Sequence, residues 1–338
     1  MGLVHGHVAG FLRDLPRHPN FELVGVSEPD AALRQKFQQS TKLPESTFFA
    51  SEKEMLEKTK PQAIVVYTAP ADHLGAISVA APMHIAAMVE KPLATTVPDA
   101  EAIAKLSAQY NVPVLTNYAT TWFPANTAIY DTVKQGKVGT VRKIVAYDGH
   151  RGPKEIGVSP EIFNWITDPV KNGGGAIVDF GCYGLDLATW LMNGEMPESV
   201  TAITQQLKPE IYTRVDDDAT IILKYAHVQA VIMGSWNWPI DRRDLAVYGS
   251  NGFVSAVKAD GFRTQLINEK QDTVSPAPAL TAPQDNSFDY LTAVLTHQLT
   301  PKGDPTALDT NVKVVRLLAA ARESAKSGKT VMLTPSKH

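Results

Sequence analysis

Cysteine is almost absent from this 338-residue sequence, which contains only Cys182. A single thiol cannot form an internal disulfide, an iron–sulfur cluster or a cysteine-based structural zinc site. This composition is typical of a reducing compartment, and we expect a cytoplasmic protein. A periplasmic protein without disulfides, carrying an upstream segment, would have the same composition.

Long apolar runs and a surplus of positive charge are also missing. No stretch approaches the ~20 consecutive apolar residues that cross a bilayer, and the N-terminus has no basic segment followed by an apolar one. Lys and Arg number 32 against 35 Asp and Glu, which leaves no large basic surface for nucleic acid or anionic lipid. The G-x-S-x-G, H-E-x-x-H and P-loop motifs are absent as well, so a hydrolase or kinase function has no support. We expect a small-molecule partner and neither nucleic acid nor a membrane.

The first third of the chain alternates short apolar runs with helical segments. Runs of this kind, separated by helices, are typical of a parallel sheet covered on both faces. The sequence therefore predicts a doubly wound, Rossmann-type α/β domain over residues 1–118. The predicted strands cover residues 21–26, 63–68, 85–89 and 112–115, and the predicted helices cover residues 31–39, 74–81 and 98–110.

The pattern changes in the second part of the chain, residues 119–338. After a helix over residues 124–135, longer strands follow one another without intervening helices, which favours a large, open-faced, mostly antiparallel sheet. We expect a surface loop over residues 275–283 and an amphipathic helix over residues 310–327 that packs back on the first domain. The predicted strands cover residues 141–147, 199–206, 219–225, 229–236 and 244–248.

A glycine-containing turn near the N-terminus could receive a dinucleotide pyrophosphate. The run Gly2–His7 matches G-x-G-x-x-G only at its first glycine, but Glu28 follows His7 by 21 positions and comes just after a predicted strand. An acidic residue there accepts hydrogen bonds from ribose hydroxyls and repels a 2′-phosphate, which favours NAD over NADP. Taken alone, Glu28 could equally begin a helix.

The strand that should precede Gly2 is missing, because only Met1 stands before it. We expect an upstream segment to supply this strand, since a doubly wound sheet without it exposes strand edges. Without that segment, residues 1–7 are predicted to be poorly tethered.

Two further groups of residues could suggest a metal. His5 and His7 share one turn, but the neighbouring sequence offers no third ligand, so we predict no metal site. Asp216, Asp217 and Asp218 lack the glycine and distal glutamate of a calcium loop and indicate a charged turn.

Two motifs together resemble the glucose-fructose oxidoreductase / inositol dehydrogenase / rhizopine catabolism (Gfo/Idh/MocA) family. One is Glu90-Lys91-Pro92, with the Thr-Ala-Pro-Ala-Asp-His run 68–73 upstream of it. The other is the run 173–186, with Asp179, Gly181, Tyr183 and Asp186 in a D-x-G-x-Y-x-x-D pattern. The resemblance covers nearly the whole chain and implies NAD(P)-dependent oxidation or reduction of a sugar, cyclitol or related polyol. It also implies a homodimer or homotetramer formed through the open-faced sheet.

The resemblance places Lys91 near the nicotinamide and the reacting hydroxyl, with Asp179 and Tyr183 as its catalytic partners. Many members have histidine at the position of Tyr183. The expected cofactor-binding residues are Gly2, Val4, His5, Gly6, His7, Glu28, Thr68, Pro70, His73, Glu90, Lys91 and Asn117. The expected substrate-binding residues are Lys91, Tyr118, His150, Arg151, Trp165, Asp179 and Tyr183. We expect Trp236 to pack in the sheet or at a subunit interface.

The chemistry of these residues agrees with that assignment. Removing hydride from a secondary alcohol requires a group that accepts the hydroxyl proton, and a free tyrosine with a pKa near ~10 is a poor base at neutral pH. A neighbouring Lys91 ammonium favours the phenolate and is expected to lower the pKa of Tyr183. Asp179 could orient the substrate or hold Lys91, and the sequence does not separate these roles.

Three alternatives to a sugar or polyol dehydrogenase remain open at this point, because fold alone does not establish activity. The first is an NAD-dependent glycosidase on the same scaffold, and the second is a catalytically silent sugar or nucleotide sensor. The third is a reductase or dehydrogenase for a non-sugar substrate such as a dihydrodiol.

Overall fold

The computed structural model describes residues 1–333. Helices alternate with short strands at the N-terminus and give way to long strands later in the chain. The helices are α1 Val8–Asp14, α2 Ala31–Thr41, α3 Glu52–Thr59, α4 His73–Ala80, α5 Val97–Tyr110, α6 Pro124–Lys134, α7 Pro160–Ile166, α8 Ala176–Asp179, α9 Gly181–Leu191, α10 Ser287–Leu295 and α11 Leu308–Ser327. The strands are β1 Val26–Ser27, β2 Phe48–Phe49, β3 Ala63–Val66, β4 Ala86–Glu90, β5 Val114–Asn117, β6 Val141–Gly149, β7 Ser199–Gln205, β8 Asp218–Lys224, β9 Gln229–Ser235, β10 Arg242–Gly249, β11 Gly252–Ala256, β12 Gly261–Leu266, β13 Thr273–Pro276 and β14 Val331–Met332.

The N-terminal domain has the predicted parallel sheet. Strands β3, β4 and β5 pair in parallel, with β4 in the centre and every one of its residues buried. A strand covered on both faces has no solvent side for polar residues, which explains its continuous apolar run. The fold class expected for this part of the chain is confirmed.

The predicted strand over residues 21–26 is mostly wrong. Only Val26 and Ser27 form a strand, which pairs in parallel with the unpredicted β2. Residues 20–26 instead line a cavity of about 450 Å³ together with residues 59–65 of the neighbouring segment. A strand needs a hydrogen-bonded neighbour along its length. On the side of residues 20–26 that faces the cavity, only the first residues of the chain come close enough, and within residues 20–27 their backbone bonds to Ser27 alone. The unpredicted α3 buries Met55 and Leu56 beside the same cavity.

The first residues are well tethered, so the prediction that they would be loose is wrong. The Met1 amino group donates a hydrogen bond to the Val65 carbonyl (2.7 Å), and the Met1 carbonyl accepts one from the Tyr67 N–H (2.7 Å). On the other side, the Gly2 N–H donates to the Ser27 carbonyl (2.8 Å). Residues 1–2 thus bridge β1 and the segment that contains β3.

The C-terminal domain is built on one large sheet, and its expected mostly antiparallel form is confirmed. In the described residues its order is β13-β12-β11-β10-β6-β9-β8-β7-β14, and only β6 and β9 pair in parallel. Helices α8, α9 and α11 pack against this sheet. On the opposite side Ile203 and Tyr248 remain 67% and 45% exposed. The loop expected over residues 275–283 begins later than predicted, because its first residues extend β13 as a hydrogen-bonded edge strand.

Helix α11 joins the two cores. Val315 packs into the core of the first domain, while Val314 and Leu317 pack into the core of the second. The guanidinium of Arg322 on the same helix donates hydrogen bonds to the Gly173 carbonyl (2.6 Å) and the Thr95 carbonyl (2.7 Å). Thr95 lies in the loop after Glu90-Lys91-Pro92, and Gly173 begins the run 173–186. Because both are bonded to the Arg322 side chain, helix α11 fixes the relative position of the two motifs. Among residues 1–333, no helix is both long enough and apolar enough to span a membrane.

Candidate active site

Lys91 stands where the central strand β4 ends. Ligands of doubly wound sheets bind outside the carboxyl ends of the strands, and Lys91 follows Glu90, the last residue of β4, directly. Its side chain is buried and reaches into the second domain, 88 positions along the chain. The ammonium therefore lies at the boundary between the domains, beside the expected cofactor crevice.

Asp179 holds the Lys91 ammonium in place. Lys91 Nζ donates hydrogen bonds to Asp179 Oδ1 (2.5 Å) and to the Asp179 carbonyl (2.9 Å). The other carboxylate oxygen, Oδ2, accepts one from Trp236 Nε1 (2.9 Å). Both carboxylate oxygens thus contact protein groups, which favours the hypothesis that Asp179 holds Lys91.

The charges of this pair stabilise each other. Burial by itself raises the pKa of Asp179, but the attraction and hydrogen bond of Lys91 outweigh it and bring the pKa to about 2. Burial by itself lowers the pKa of Lys91, but the attractions of Asp179, Tyr183 and Cys182 hold it above its ordinary value. Lys91 is thus an ammonium and Asp179 a carboxylate at neutral pH.

Tyr183 lies on α9 with its ring centre 4.9 Å from Lys91 Nζ. The nearby Lys91 and Arg243 favour the phenolate, yet burial is the larger effect and raises the pKa of Tyr183 to about 12. The expected net lowering of this pKa is therefore wrong, because the sequence could not show how completely the ring is buried. At neutral pH the Tyr183 hydroxyl is a proton donor.

Three residues near this group were not predicted as site residues. Trp236 was expected to pack in the sheet, but it also donates to Asp179. The guanidinium of Arg243 lies 5.0 Å from the ring centre of Tyr183. Asp148, opposite Arg243 in the β6–β10 register, is buried with no hydrogen-bond partner among residues 1–333, and burial raises its pKa to about 7. No motif marks these residues, because only strand pairing brings them together.

The other predicted substrate residues lie at different distances from this centre. Tyr118 is buried edge-on to Tyr183, with ring centres 5.5 Å apart. The His150 ring packs edge-on against Phe180 (4.9 Å), and its Nδ1 accepts a hydrogen bond from the Gly152 N–H. Arg151 is exposed, and no side-chain contact within the described residues joins it to the Lys91 group.

Trp165 contacts the N-terminal turn. Its Nε1 donates a hydrogen bond to the Val4 carbonyl (2.9 Å), and its ring stacks on His5 with centres 5.2 Å apart. Gly6 belongs to the same turn, where an added Cβ would come 3.2 Å from Ile162. Trp165 thus supports the turn that is expected to receive the cofactor.

The turn itself lies later than the glycine pattern suggested. Gly2 is bonded to the strand residue Ser27, and α1 begins at Val8, so residues 5–7 form the connection between them. Gly2 has a φ of +77°, and an added Cβ would lie 2.6 Å from the Thr68 side chain. The positive φ and the close approach of the Thr68 segment explain why a glycine stands at position 2.

Glu28 is buried beside the turn. Its Oε2 accepts a hydrogen bond from the Leu3 N–H (2.8 Å), and its Oε1 accepts one from the Asp30 N–H (3.0 Å). Each carboxylate oxygen can accept a further bond, so the group can still receive ribose hydroxyls. The Arg34 guanidinium donates to the backbone carbonyls of Glu28 and Pro29.

Glu90, the last residue of β4, connects the N-terminal turn with Asn117 at the end of β5. Its Oε2 lies 3.0 Å from His7 Nδ1, and its Oε1 accepts a hydrogen bond from Asn117 Nδ2 (3.0 Å). The side-chain oxygen Oδ1 of Asn117 in turn accepts one from Trp122 Nε1 (2.9 Å). Burial alone would raise the pKa of Glu90, but His7 and its other partners bring it to about 2.

The residues after β3 border the same edge. Thr68 Oγ1 donates to the Ala69 carbonyl (3.2 Å), and Pro70 begins a short 3₁₀ turn. His73 is fully buried with its Nδ1 3.1 Å from the Leu93 carbonyl, and burial lowers its pKa to about 4. His73 thus packs on the loop that follows Lys91.

This set of residues fits a dinucleotide. Glu28, Thr68, Glu90 and Asn117 all stand at or just beyond the carboxyl ends of parallel strands, where doubly wound folds bind dinucleotides. Carboxylate and amide groups with free bonding capacity suit ribose and carboxamide partners.

Family models match both parts of the chain. The model described as "Oxidoreductase family, NAD-binding Rossmann fold" matches residues 6–118, and the GFO/IDH/MocA C-terminal domain model matches residues 127–255. This chain belongs to the GFO/IDH/MocA oxidoreductase family. It is accordingly an oxidoreductase with an NAD-binding Rossmann domain, and the resemblance drawn from the two motifs is confirmed.

Curated relatives of this GFO/IDH/MocA protein include trans-1,2-dihydrobenzene-1,2-diol dehydrogenases. The Xenopus tropicalis enzyme is 25% identical over 79% of this chain and 76% of its own. The human enzyme is 23% identical over 86% of this chain and 81% of its own.

Solved structures share the fold over almost the full length. Aldose-aldose oxidoreductase from Caulobacter crescentus, complexed with glycerol, has a TM-score of 0.80 and 22% identity, covering 98% of both chains. An inositol dehydrogenase homolog complexed with NAD+ from Azotobacter vinelandii has a TM-score of 0.82 and 15% identity, covering 98% of this chain and 96% of its own.

Proposed function

We propose that this protein is an NAD-dependent dehydrogenase that acts on a secondary alcohol of a sugar, cyclitol or related polyol. One observation carries the proposal: the Lys91 ammonium is held by Asp179 beneath the Tyr183 ring, at the carboxyl edge of the Rossmann sheet. Bound nicotinamide would supply the hydride acceptor. A donor, an ammonium and a fixed carboxylate are the groups that an alcohol–carbonyl conversion requires from the protein.

Tyr183 moves the proton in this proposal. During reduction of a carbonyl, the Tyr183 O–H gives its proton to the substrate oxygen as hydride arrives at the carbon. During oxidation, the tyrosinate takes the proton of the substrate hydroxyl as hydride leaves the carbon. Lys91 donates a hydrogen bond to the same oxygen and stabilises its negative charge. Because burial raises the pKa of Tyr183 to about 12, we expect alcohol oxidation to accelerate from pH 7 to pH 9.5.

Substrate class and activity can be tested in one screen. Full-length protein is incubated with NAD+ and a panel of sugars, glycosides, cyclitols and trans-dihydrodiols, and the formation of NADH and of free sugar is followed. Dihydrodiols are a second candidate class, favoured by the names of the curated relatives. Release of free sugar without net NADH would indicate the glycosidase alternative. A sugar that raises the melting temperature without being turned over would indicate a sensor.

Replacing Tyr183 by Phe tests the assigned proton donor. The change keeps the ring volume but removes the transferable proton, so turnover should fall by roughly 10²–10⁴-fold while NADH affinity stays within about twofold. Tyr225→Phe, at a buried tyrosine of the same sheet domain, is the matched control and should keep wild-type turnover. Wild-type turnover in Tyr183→Phe would contradict the assignment.

We further propose a preference for NAD over NADP. The Glu28 carboxylate would repel a 2′-phosphate, and no Lys or Arg occupies residues 29–33. Fluorescence titration should therefore give a lower Kd for NADH than for NADPH. A lower Kd for NADPH would overturn the preference and direct attention to Arg34, whose guanidinium lies beside Glu28.

A further inference from the structure

A cluster of metal-ligand residues lies in the N-terminal turn. His5, His7 and Glu90 each offer one ligand atom, and these three atoms lie within 4.8 Å of one another. A third ligand could not be expected from sequence spacing, because Glu90 is 83 positions from His7. Pairing of the N-terminal segment beside β3, which itself pairs with β4, brings the two histidines and the glutamate together.

We propose that His5, His7 and Glu90 form a binding site for a divalent transition-metal cation of the Zn²⁺ class. Two imidazoles and one carboxylate form a set of three protein ligands that zinc accepts while keeping one position open. Calcium and magnesium prefer sites made of oxygen ligands alone, so the two histidines disfavour them.

The geometry allows the three groups to close on one ion. At zinc–ligand distances of about 2.1 Å, tetrahedral ligand atoms lie about 3.4 Å apart, so atoms within 4.8 Å need to move by less than about 1 Å each. The ion would replace the hydrogen bond between His7 Nδ1 and Glu90 Oε2.

A cation can reach this cluster from solvent, and neighbouring residues hold the ligand side chains in place. The His7 side chain is 49% exposed, so a cation can enter from solvent, while the Glu90 side chain is almost fully buried. Asn117 Nδ2 donates to Glu90 Oε1, and the His5 ring is stacked on Trp165. Such outer contacts orient metal ligands and raise metal affinity.

Because these residues also border the turn expected to receive the cofactor, metal titration is carried out on the full chain without NAD and tests this site without reference to dehydrogenase activity. Chelator-treated protein is titrated with ZnCl2 by calorimetry, and we expect one equivalent to bind with micromolar affinity. His7→Ala should weaken this binding at least ~10-fold. His84→Ala, at another exposed histidine, is the control and should bind as the wild type does.

A second measurement avoids variants that fold poorly. Co²⁺ added to the wild-type protein should give the intense visible bands of a low-coordinate site, and one equivalent of Zn²⁺ should abolish them. The proposal is overturned if folded wild-type protein binds no Zn²⁺ more tightly than millimolar. It is equally overturned if His7→Ala retains wild-type affinity.

Discussion

At the scale of single residues, the site depends on a lysine whose charge is compensated before any ligand arrives. Asp179 accepts two contacts from Lys91, one through its carboxylate and one through its carbonyl, and Trp236 holds the second carboxylate oxygen. Side chains fixed in this way lose little freedom when the reaction occurs, which is how preorganised groups contribute to catalysis.

We predict that Lys91 and Tyr183 act as one unit. Lys91→Met should lower turnover and also weaken NADH binding, because the family resemblance places this side chain near the nicotinamide. The double variant Lys91→Met/Tyr183→Phe should be little slower than the slower single variant, since groups that act together are not additive. Turnover measured for all four proteins decides the point.

Stability must be followed in the same series. Lys91→Met leaves the buried Asp179 carboxylate without its cation, an unpaired arrangement that typically costs about 3–5 kcal/mol. The variant Lys91→Met/Asp179→Asn removes the stranded charge and serves as the control.

If the losses of turnover in Lys91→Met and Tyr183→Phe simply multiply in the double variant, the two residues act independently.

Asp148 should make stability depend on pH. Its pKa is raised by burial to about 7, against about 3.9 in an unfolded chain, so the folded state binds more protons between these values. The stabilising contribution of the neutral acid is present below about pH 4 and is lost as the pH rises through about 7. Asp148→Asn should therefore be more stable than the wild type at pH 8, by about 1–3 kcal/mol.

The measurement is thermal or urea unfolding at several pH values. The advantage of Asp148→Asn should shrink as the pH falls from 8 to 4, while Asp260→Asn, at an exposed aspartate, should show little change. An advantage that stays constant over this range would show that Asp148 does not titrate as described.

At the scale of elements, the weak point of the Rossmann domain is the cavity beside its first residues. The cavity measures about 450 Å³ and is lined mainly by apolar side chains, among them Phe11, Leu15, Phe21, Leu23 and Ile64. The Met1 amino group is buried beside it, and burial lowers its pKa to about 6. An unfilled apolar cavity reduces stability, and so does burial of an amino group that must lose its proton near neutral pH when the chain folds.

Filling this cavity should stabilise the domain. A designed extension of five strand-forming residues rich in Val and Ile, fused before Met1, can pair between β1 and β3 and cover the apolar lining. We expect the melting temperature to rise by roughly 5 °C. A Gly/Ser extension of equal length removes the buried amino group but does not fill the cavity, so a similar rise with this control would contradict the cavity explanation.

At the scale of the whole molecule, one broad surface remains uncovered. On the face of the large sheet away from the helices, the register aligns Thr201, Ile222, Val231 and Val145 across four strands, with Ile203 67% exposed nearby. An apolar sheet face of this kind is typical of subunit interfaces. We propose that a second copy of the chain covers it.

Light scattering coupled to size-exclusion chromatography tests this assembly. The wild type should elute as a dimer or tetramer, and Val231→Glu should give a smaller folded species because a charge on the central strand opposes stacking. Val170→Glu, at a position 71% exposed outside the sheet, should keep the wild-type mass. A monomeric wild type at micromolar concentration would refute the interface.

The sequence by itself determined the two-part architecture and the identity of the central residues. Continuous apolar strands between helices predict a parallel sheet, since a strand buried on both faces has no polar side. The two motifs predicted Lys91, Asp179 and Tyr183 as one catalytic group, because each motif lies within a short run of residues, and the structure brings the three side chains together. Helix α5 was also readable over residues 98–110, because a carboxylate such as that of Asp99 in the first turn suits the helix dipole. The structure adds Thr96 as the residue that caps this turn.

Only the tertiary structure decided what depends on contacts between distant segments. The pKa of Tyr183 is raised because the ring is completely buried, and this outweighs the lowering by Lys91 that the sequence led us to expect. Glu90 reaches His5 and His7, and Trp236 reaches Asp179, through strand pairing that no short motif encodes. The strand predicted over residues 21–26 shrinks to two residues for the same reason: strand propensity is expressed only where a neighbouring chain supplies hydrogen bonds.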